Sequence, residues 1–322
     1  MKEQQMEQEQ PRIASLLPAA TEIVCALGAQ DRLVGVSHEC DYPAGLSRLP
    51  ALTRPRKSFP QGSGAIDRAV REVLADALAV YEVEVDELAR VKPSLIVTQD
   101  LCDVCAVSLS EVHRALEQTG LVDAQVVSCC PLRLGDVWDD VRRVARALGI
   151  EAQGEGVVAE LESRVQAIAQ RSEGKTRPTV LTIEWIDPVM VGGTWMPELV
   201  ELAGGRALVT EPGQHAPTLT PQELASLDPD VVLIKPCGFT LERTEKELEA
   251  IRDHLPWNAW RAVDDGRVFV ADGNAYFNRP GPRLVESLEI LAGCVSEDAA
   301  DFREQHAGSV RRLHKDLTLA PF

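Results

Sequence analysis

The sequence predicts an α/β protein of two Rossmann-like lobes with parallel sheets, joined by a rigid backbone helix. Three observations carry this reading. Short apolar runs alternate with helical periodicity in both halves, and strands separated by helices pair in parallel with helices covering both faces. Residues 135–172 break the alternation with two helical stretches and no strand. The halves also share a unit: Glu87-Leu88-Ala89 precedes Pro93 and Leu95-Ile96-Val97, while Glu223-Leu224-Ala225 precedes Pro229 and Val231-Val232-Leu233. In each, a proline stops a short helix and a buried strand follows.

Residues 13–17 form an apolar strand ended by Pro18, and a helix follows from about Thr21 to Gly28. A strand is expected at 33–37, a helix at 85–91, a buried strand at 95–98, a helix at 110–118 and a strand at 125–128. Helices at 136–148 and 155–170 show apolar spacings of three and four. Strands resume at 179–183 and alternate with helices to about Leu291. The expected organisation is a disordered N-terminal tail over 1–11, an N-terminal lobe over 12–150 and a connecting helix over 151–174. A C-terminal lobe over 175–295 and a helical tail over 296–322 complete it.

The 322 residues suffice for two domains with their own cores. Apolar residues at 45% and charged residues at 26% describe a soluble globular chain. A net charge of -17 repels nucleic acid and anionic membrane surfaces, so neither is an expected partner. No apolar run reaches the length of a membrane span. The first ten residues are polar and acidic with no apolar core, and eight cysteines agree with a reducing compartment. A cytoplasmic monomer is therefore expected, a periplasmic or surface location being the alternative if a leader has been removed. No dinucleotide fingerprint, P-loop or nucleophile elbow is present, so no enzymatic activity is expected.

In open α/β sheets ligands bind beyond the carboxyl ends of the strands, and two such lobes facing each other make a cleft. The informative loops are His38-Glu39-Cys40-Asp41-Tyr42-Pro43, Gln99-Asp100-Leu101-Cys102-Asp103-Val104-Cys105, Glu184-Trp185-Ile186-Asp187-Pro188, Lys235-Pro236-Cys237-Gly238-Phe239 and the stretch from Asp272 to Pro280. Aromatic residues are 4% of the chain, yet several fall here. Aromatics with a few polar groups suit a large, mostly apolar ligand with hydrogen-bonding edges. Trp185 and Phe277 read equally well as core anchors.

Several motifs make a resemblance specific: Ser15-Leu16-Leu17-Pro18-Ala19-Ala20-Thr21-Glu22, Val34-Gly35-Val36-Ser37 with Asp41-Tyr42-Pro43, Val91-Lys92-Pro93-Ser94-Leu95-Ile96, and Tyr276-Phe277-Asn278-Arg279-Pro280-Gly281-Pro282-Arg283. Over residues 12–293 the chain resembles the vitamin B12 (cobalamin)-binding proteins among the class III substrate-binding proteins of ABC importers. Their relatives bind haem or siderophores. The resemblance implies two α/β lobes joined by a backbone helix and a corrinoid ligand in the interlobe cleft. Tyr42 falls where B12 binders place a tyrosine against the corrin, and Arg279 where they place a late arginine. Tyr276 takes the place of a nearby aromatic, and Pro18 and Ala19 form a cleft edge. Trp185, Tyr276, Phe277 and Arg279 would complete the ligand contacts. Two tryptophans of B12 binders are missing; Arg54 and Gln99 stand near their positions. The resemblance further implies docking on a permease through one acidic residue per lobe. The internal repeat pairs Glu87 with Glu223 for that role, Asp86 and Gln222 being the neighbouring alternatives.

The cysteines depart from that pattern. Cys102-x-x-Cys105 could hold zinc or an iron-sulfur cluster, form a redox pair, or remain two thiols. His38, Cys40 and Cys237 are the candidates to complete a metal site, since each follows a strand. Cys25 and Cys294 sit in apolar runs and read as core, and the adjacent Cys129 and Cys130 read as structural. His215, in a polar loop, reads as exposed, with a ligand metal as the other reading.

Overall fold

The computed structural model describes residues 10–75, 80–100 and 107–322. In chain order the elements are β1 (Ile13–Ser15), α1 (Pro18–Ala26), β2 (Leu33–Val36), β3 (Thr53–Pro55), α2 (Ser63–Ala75), β4 (Tyr81–Val83), α3 (Val85–Val91), β5 (Leu95–Gln99), α4 (Leu109–Thr119), β6 (Gln125–Cys129), α5 (Leu134–Ala147) and α6 (Glu151–Ser172). They continue with β7 (Thr179–Trp185), β8 (Met190–Val191), α7 (Met196–Leu202), β9 (Arg206–Ala207), α8 (Pro221–Ala225), β10 (Val231–Ile234), α9 (Leu241–Glu245) and α10 (Leu248–His254). The last are α11 (Arg261–Asp264), β11 (Val268–Ala271), α12 (Leu284–Val295), α13 (Ala300–Gln305), β12 (Val310–Leu313) and β13 (Leu319–Pro321). The chain divides into two compact units, the first made of residues 1–58, 73–130 and 139–158, the second of 59–72, 131–138 and 159–322.

The first unit is built on a four-stranded sheet in the order β2-β1-β5-β6, parallel throughout. Strand β5 is buried at every residue, as a central strand covered on both faces must be. One side of this sheet packs Ala14, Leu16 and Ile96 against Leu88 and Val91 of α3 and Val112 and Leu116 of α4. Helix α4 starts where the Ser108 hydroxyl accepts from Glu111 N, and it ends at Gly120 in the left-handed conformation. Helix α1 begins three residues earlier than the sequence predicts. Pro18 takes its first turn, where a missing N–H costs nothing.

Helix α6 is continuous over 22 residues, with Gly154, Val158, Leu161 and Ile168 buried at helical spacing. It is the connector expected from the strand-free stretch, and it runs from the residues of the first unit into those of the second.

The second unit carries β7, β10 and β11 as a parallel set, with Val232 paired to both Leu181 and Val268. Its core gathers Leu181, Ile183, Val232, Ile234, Val268 and Val270 with Trp257 and Trp260. The expected helical tail is corrected here. After the short helix α13, β12 pairs antiparallel with β11, and β13 pairs antiparallel with β12. Val310 and Leu313 are fully buried with two arginines between them, a run too short to show strand periodicity. The sequence also gives no sign of the two-stranded ribbon of β3 and β4, whose strands lie far apart in the chain. No helix among the described residues is long and apolar enough to cross a membrane.

Candidate functional site

Parallel strands place their following loops along one sheet edge, so each unit offers a carboxyl-end edge of its own. In the first unit, Pro18 is half-buried and Ala19 buried at the start of α1. Thr21 in the same helix donates to Ser15 Oγ at 2.7 Å, and its Oγ1 lies 3.1 Å from Cys40 Sγ. The Thr21 proton is committed to Ser15, so the Cys40 thiol is the donor in that contact. The loop after β2 presents Tyr42 at 47% exposure, the most open tyrosine side chain at this edge.

His38 in the same loop is firmly supported. Its Nδ1 lies 2.8 Å from Thr53 Oγ1, and Thr53 donates onward to Ser37 Oγ at 3.0 Å. Tyr81 of β4 packs its ring 5.2 Å from the imidazole and donates its hydroxyl to Glu39 Oε1 at 3.0 Å. Desolvation of the ring lowers the His38 pKa, against the opposing pull of the Glu39 carboxylate. The residue nonetheless keeps an exposed surface. Arg54 and Gln99, which stand near the positions of missing tryptophans, differ in role: Arg54 bridges Glu82 and Glu84 on the surface, while Gln99 is buried at the end of β5.

In the second unit, Trp185 ends β7 with its ring edge-on to Phe239 at 5.3 Å and its indole donating to Asp187 O at 3.0 Å. The loop after β11 is the most tightly specified segment. Asp272 accepts from Asn274 N and Ala275 N, and Asn278 donates to the carbonyls of Lys235 and Gly273. Lys235, wholly buried, donates to Glu184 Oε2 at 3.0 Å and to Asn278 Oδ1 at 2.8 Å. Gly273 lies so close to the β10 loop that a Cβ would fall 2.1 Å from Pro236 O. On this base stand Tyr276, half-buried beneath the Arg283 guanidinium, and Arg279, 8% exposed and donating to Asn274 Oδ1. Behind Tyr276 the His306 ring packs edge-on at 6.0 Å, and His306 Nε2 lies 2.9 Å from Glu289 Oε2.

Phe277 sits as the core anchor that is one of its two readings. Its side chain is fully buried and its backbone bonds to Ser287 and Trp195, so it anchors the loop from the core. The expected metal site changes. Cys102 and Cys105 lie outside the described residues. Cys40 is hydrogen-bonded to Thr21, and Cys237 belongs to the second unit's loop. Among the described residues no group of three or more His, Cys, Asp or Glu side chains is placed to hold a metal ion, so zinc and iron-sulfur have no support there.

Of the acidic pair, Glu87 is half-buried beside Arg90, and Asp86 next to it is exposed. Glu223 is exposed and spent on its own helix. It accepts from Thr220 N and Oγ1 at 2.8 Å while Thr220 Oγ1 receives Glu223 N, a reciprocal cap signalled by Thr-Pro-Gln-Glu in the sequence.

One wholly parallel sheet, a second sheet parallel at its centre, and a strand-free helical connector are the architecture of a substrate-binding protein of the class III type. Residues 13–275 match the family model described as periplasmic binding protein, and the chain belongs to that family. It is 23% identical over 305 residues to an uncharacterized ABC transporter substrate-binding lipoprotein of Bacillus subtilis, covering 91% of this chain and 82% of that one. It is 22% identical over 284 residues to a vitamin B12-binding protein of Vibrio cholerae, covering 86% of each. The fold matches the periplasmic heme-binding protein of Roseiflexus at a TM-score of 0.67, with 22% identity, over 91% of this chain and all of that one. The Bacillus subtilis relative, a substrate-binding lipoprotein, and the periplasmic Roseiflexus protein overturn the expected cytoplasmic location. The polar opening residues describe only their own stretch and carry no location for the fold. The family is one of binding proteins rather than enzymes.

Proposed function

We propose that this chain is the substrate-binding component of an ABC importer for a metal-tetrapyrrole, and that the tetrapyrrole is a corrinoid. Pro18, Ala19, Tyr42, Trp185, Tyr276 and Arg279 are the proposed contacts. The observation that carries the choice of ligand is the charge of the two loop edges. Glu39, Asp41, Asp100, Asp187 and Asp272 stand there against Lys235, Arg279 and Arg283, and Lys235 is already paired with Glu184. Such loops repel the two carboxylates of a haem and suit the neutral amide edges of a corrinoid. The vitamin B12-binding relatives support the same choice, and the heme-binding relative keeps haem as the competing ligand. Glu87 and Glu223 are proposed as the permease-docking carboxylates.

Titration of the protein with cyanocobalamin and with haemin, read by visible spectroscopy and tryptophan quenching, tests the proposal. Saturable one-to-one binding of the corrinoid, weakened about tenfold or more by Arg279→Ala, is the expected result. Tight haem binding without corrinoid binding would replace the corrinoid reading, and binding of neither would remove the tetrapyrrole altogether.

A further inference from the structure

Helix α2 is shared by the two compact units. Residues 59–72 belong to the second, while the chain up to residue 58 and from residue 73 belongs to the first. The root of this segment is fastened within the first unit. Strands β3 and β4 pair on either side of it, and the Arg56 N–H donates to Val80 O at 3.0 Å. The Arg56 guanidinium holds Glu82 at 2.6 Å and Glu111 at 3.0 Å. The helix re-enters the first unit at Val73, which is buried.

The tip is fastened within the second unit. Ser63, the first residue of α2, is 1% exposed. It donates to Glu247 Oε2 through its backbone N–H at 3.3 Å and through its hydroxyl at 3.0 Å. That carboxylate, just before α10, thereby takes an N–H that the helix itself leaves without a partner. Beside it, a Cβ on Gly64 would run into the Asp187 carboxylate, so only glycine lets the turn come this close. Asp187 lies in the loop after β7, and its carbonyl receives the Trp185 indole.

The two fastenings differ in kind. The root is strand pairing, a buried valine and a guanidinium between two carboxylates. The tip is polar. Among the described residues between 59 and 72 only Ser63 is buried, and Ala65, Ile66, Ala69 and Val70 are half-buried. None of them joins the apolar core of the second unit. A segment held by a few polar contacts opens more readily than one sunk in a core.

We propose that α2 is a latch: an arm rooted in the first unit whose tip, at Ser63 and Gly64, grips Glu247 and Asp187 and restrains the two units until it lets go. Helix α6 joins the units permanently; the latch joins them reversibly. Its tip rests on the loop of Trp185, so letting go also frees a proposed ligand contact and sets the rate of ligand exchange. The restraint itself does not depend on which ligand is bound.

Spin labels on unnatural amino acids at Val122 of the first unit and Gln222 of the second, both exposed, read the spread of distances between the units. The full chain is compared as wild type, Glu247→Ala, Gly64→Ala and Arg71→Ala. The last breaks only the pair of Arg71 with Asp67 on the helix's own surface. The distribution is expected to be about twofold broader in Glu247→Ala and Gly64→Ala and unchanged in Arg71→Ala. Amide hydrogen exchange over residues 62–70 is expected to quicken about tenfold in the same two variants. Should Gly64→Ala fail to fold, Ser63→Ala, which adds no bulk, takes its place. Equal widths in all these proteins overturn the latch, whatever the exchange rates do. Cyanocobalamin and haemin, mixed by stopped flow with wild type and Glu247→Ala, give the second readout. Whichever binds is expected to associate and dissociate several-fold faster in the variant, with Kd moving by less than about twofold. A Kd weakened through dissociation alone overturns the latch in favour of a fixed support for the Trp185 loop. Failure of both chelates to bind removes the tetrapyrrole reading, and the label distances then decide the latch by themselves.

Discussion

The indole Nε1–H of Trp195 donates to the backbone carbonyl of Phe277 at 2.8 Å, inside the core of the second unit. Trp195 stands just before α7, and Phe277 occupies the left-handed region at φ +68° in the loop that presents Tyr276 and Arg279. A non-glycine residue held there costs on the order of 1–3 kcal/mol and persists only where its surroundings over-determine it. The Trp195 bond and the Ser287 hydroxyl bonded to Phe277 N are two of those surroundings.

Trp195→Phe keeps most of the ring and removes the donor. The Phe277 carbonyl is then buried without its partner, and a loss of about 1–3 kcal/mol is expected in urea unfolding. Tetrapyrrole affinity should fall as well, because the same loop carries two of the proposed contacts. An unchanged unfolding midpoint would show that the carbonyl has another donor.

Two glycines should respond oppositely to alanine. At Gly273 the new Cβ meets the backbone of Pro236 and Lys235, which cannot rotate away, so Gly273→Ala should cost roughly 1–3 kcal/mol or more. At Gly156, within α6, the new methyl meets nothing within 4 Å, so Gly156→Ala should stabilise the helix by about 0.5–1 kcal/mol. Thermal or denaturant unfolding of the pair checks both signs.

Lys235→Met leaves the Glu184 carboxylate and the Asn278 amide oxygen without their shared donor. Glu184 is 22% exposed at its side chain, so water recovers part of the loss, and a destabilisation of about 1–3 kcal/mol is expected. Adding Glu184→Gln to this variant should restore part of that stability. A double-mutant cycle in which the two changes simply add would deny the coupling.

Glu289 gives a pH signature. Burial opposes its charge, but hydrogen bonds from His306 and Arg164 outweigh burial and hold its pKa below the ordinary glutamate value. A depressed carboxylate contributes stability above its unfolded pKa, and the contribution disappears as pH falls through the folded value. The gap in unfolding free energy between the wild type and Glu289→Gln should therefore be widest near neutral pH and shrink below about pH 4.5. A gap constant from pH 7 to pH 3 would contradict the sign assigned here.

Long-period features were legible in the sequence and short-range ones were not. Val231-Val232-Leu233 and Leu95-Ile96-Val97 could be placed as central strands because an unbroken apolar run after a proline has few other readings. Thr53 and Tyr81 lie on a ribbon of three-residue strands with no detectable alternation, so nothing in the sequence pairs either with His38. Lys235 could be placed after a strand but not recognised as buried, since a lysine at the end of an apolar run is ordinarily its soluble end. Tyr42 could be placed at an open edge from its loop position alone, whereas the burial of Phe277 depends on Trp195 and Ser287, distant in sequence.

The burial of Lys235 reaches into how the protein can be handled. Amine-directed reagents such as activated esters will decorate the solvent-facing lysines of the folded chain and spare this one, whose ammonium is enclosed between a carboxylate and an amide. A fluorophore coupled under native conditions therefore leaves the base of the Arg279 loop chemically untouched. Modification at Lys235, read by peptide mass, becomes a clock for how often the second unit opens.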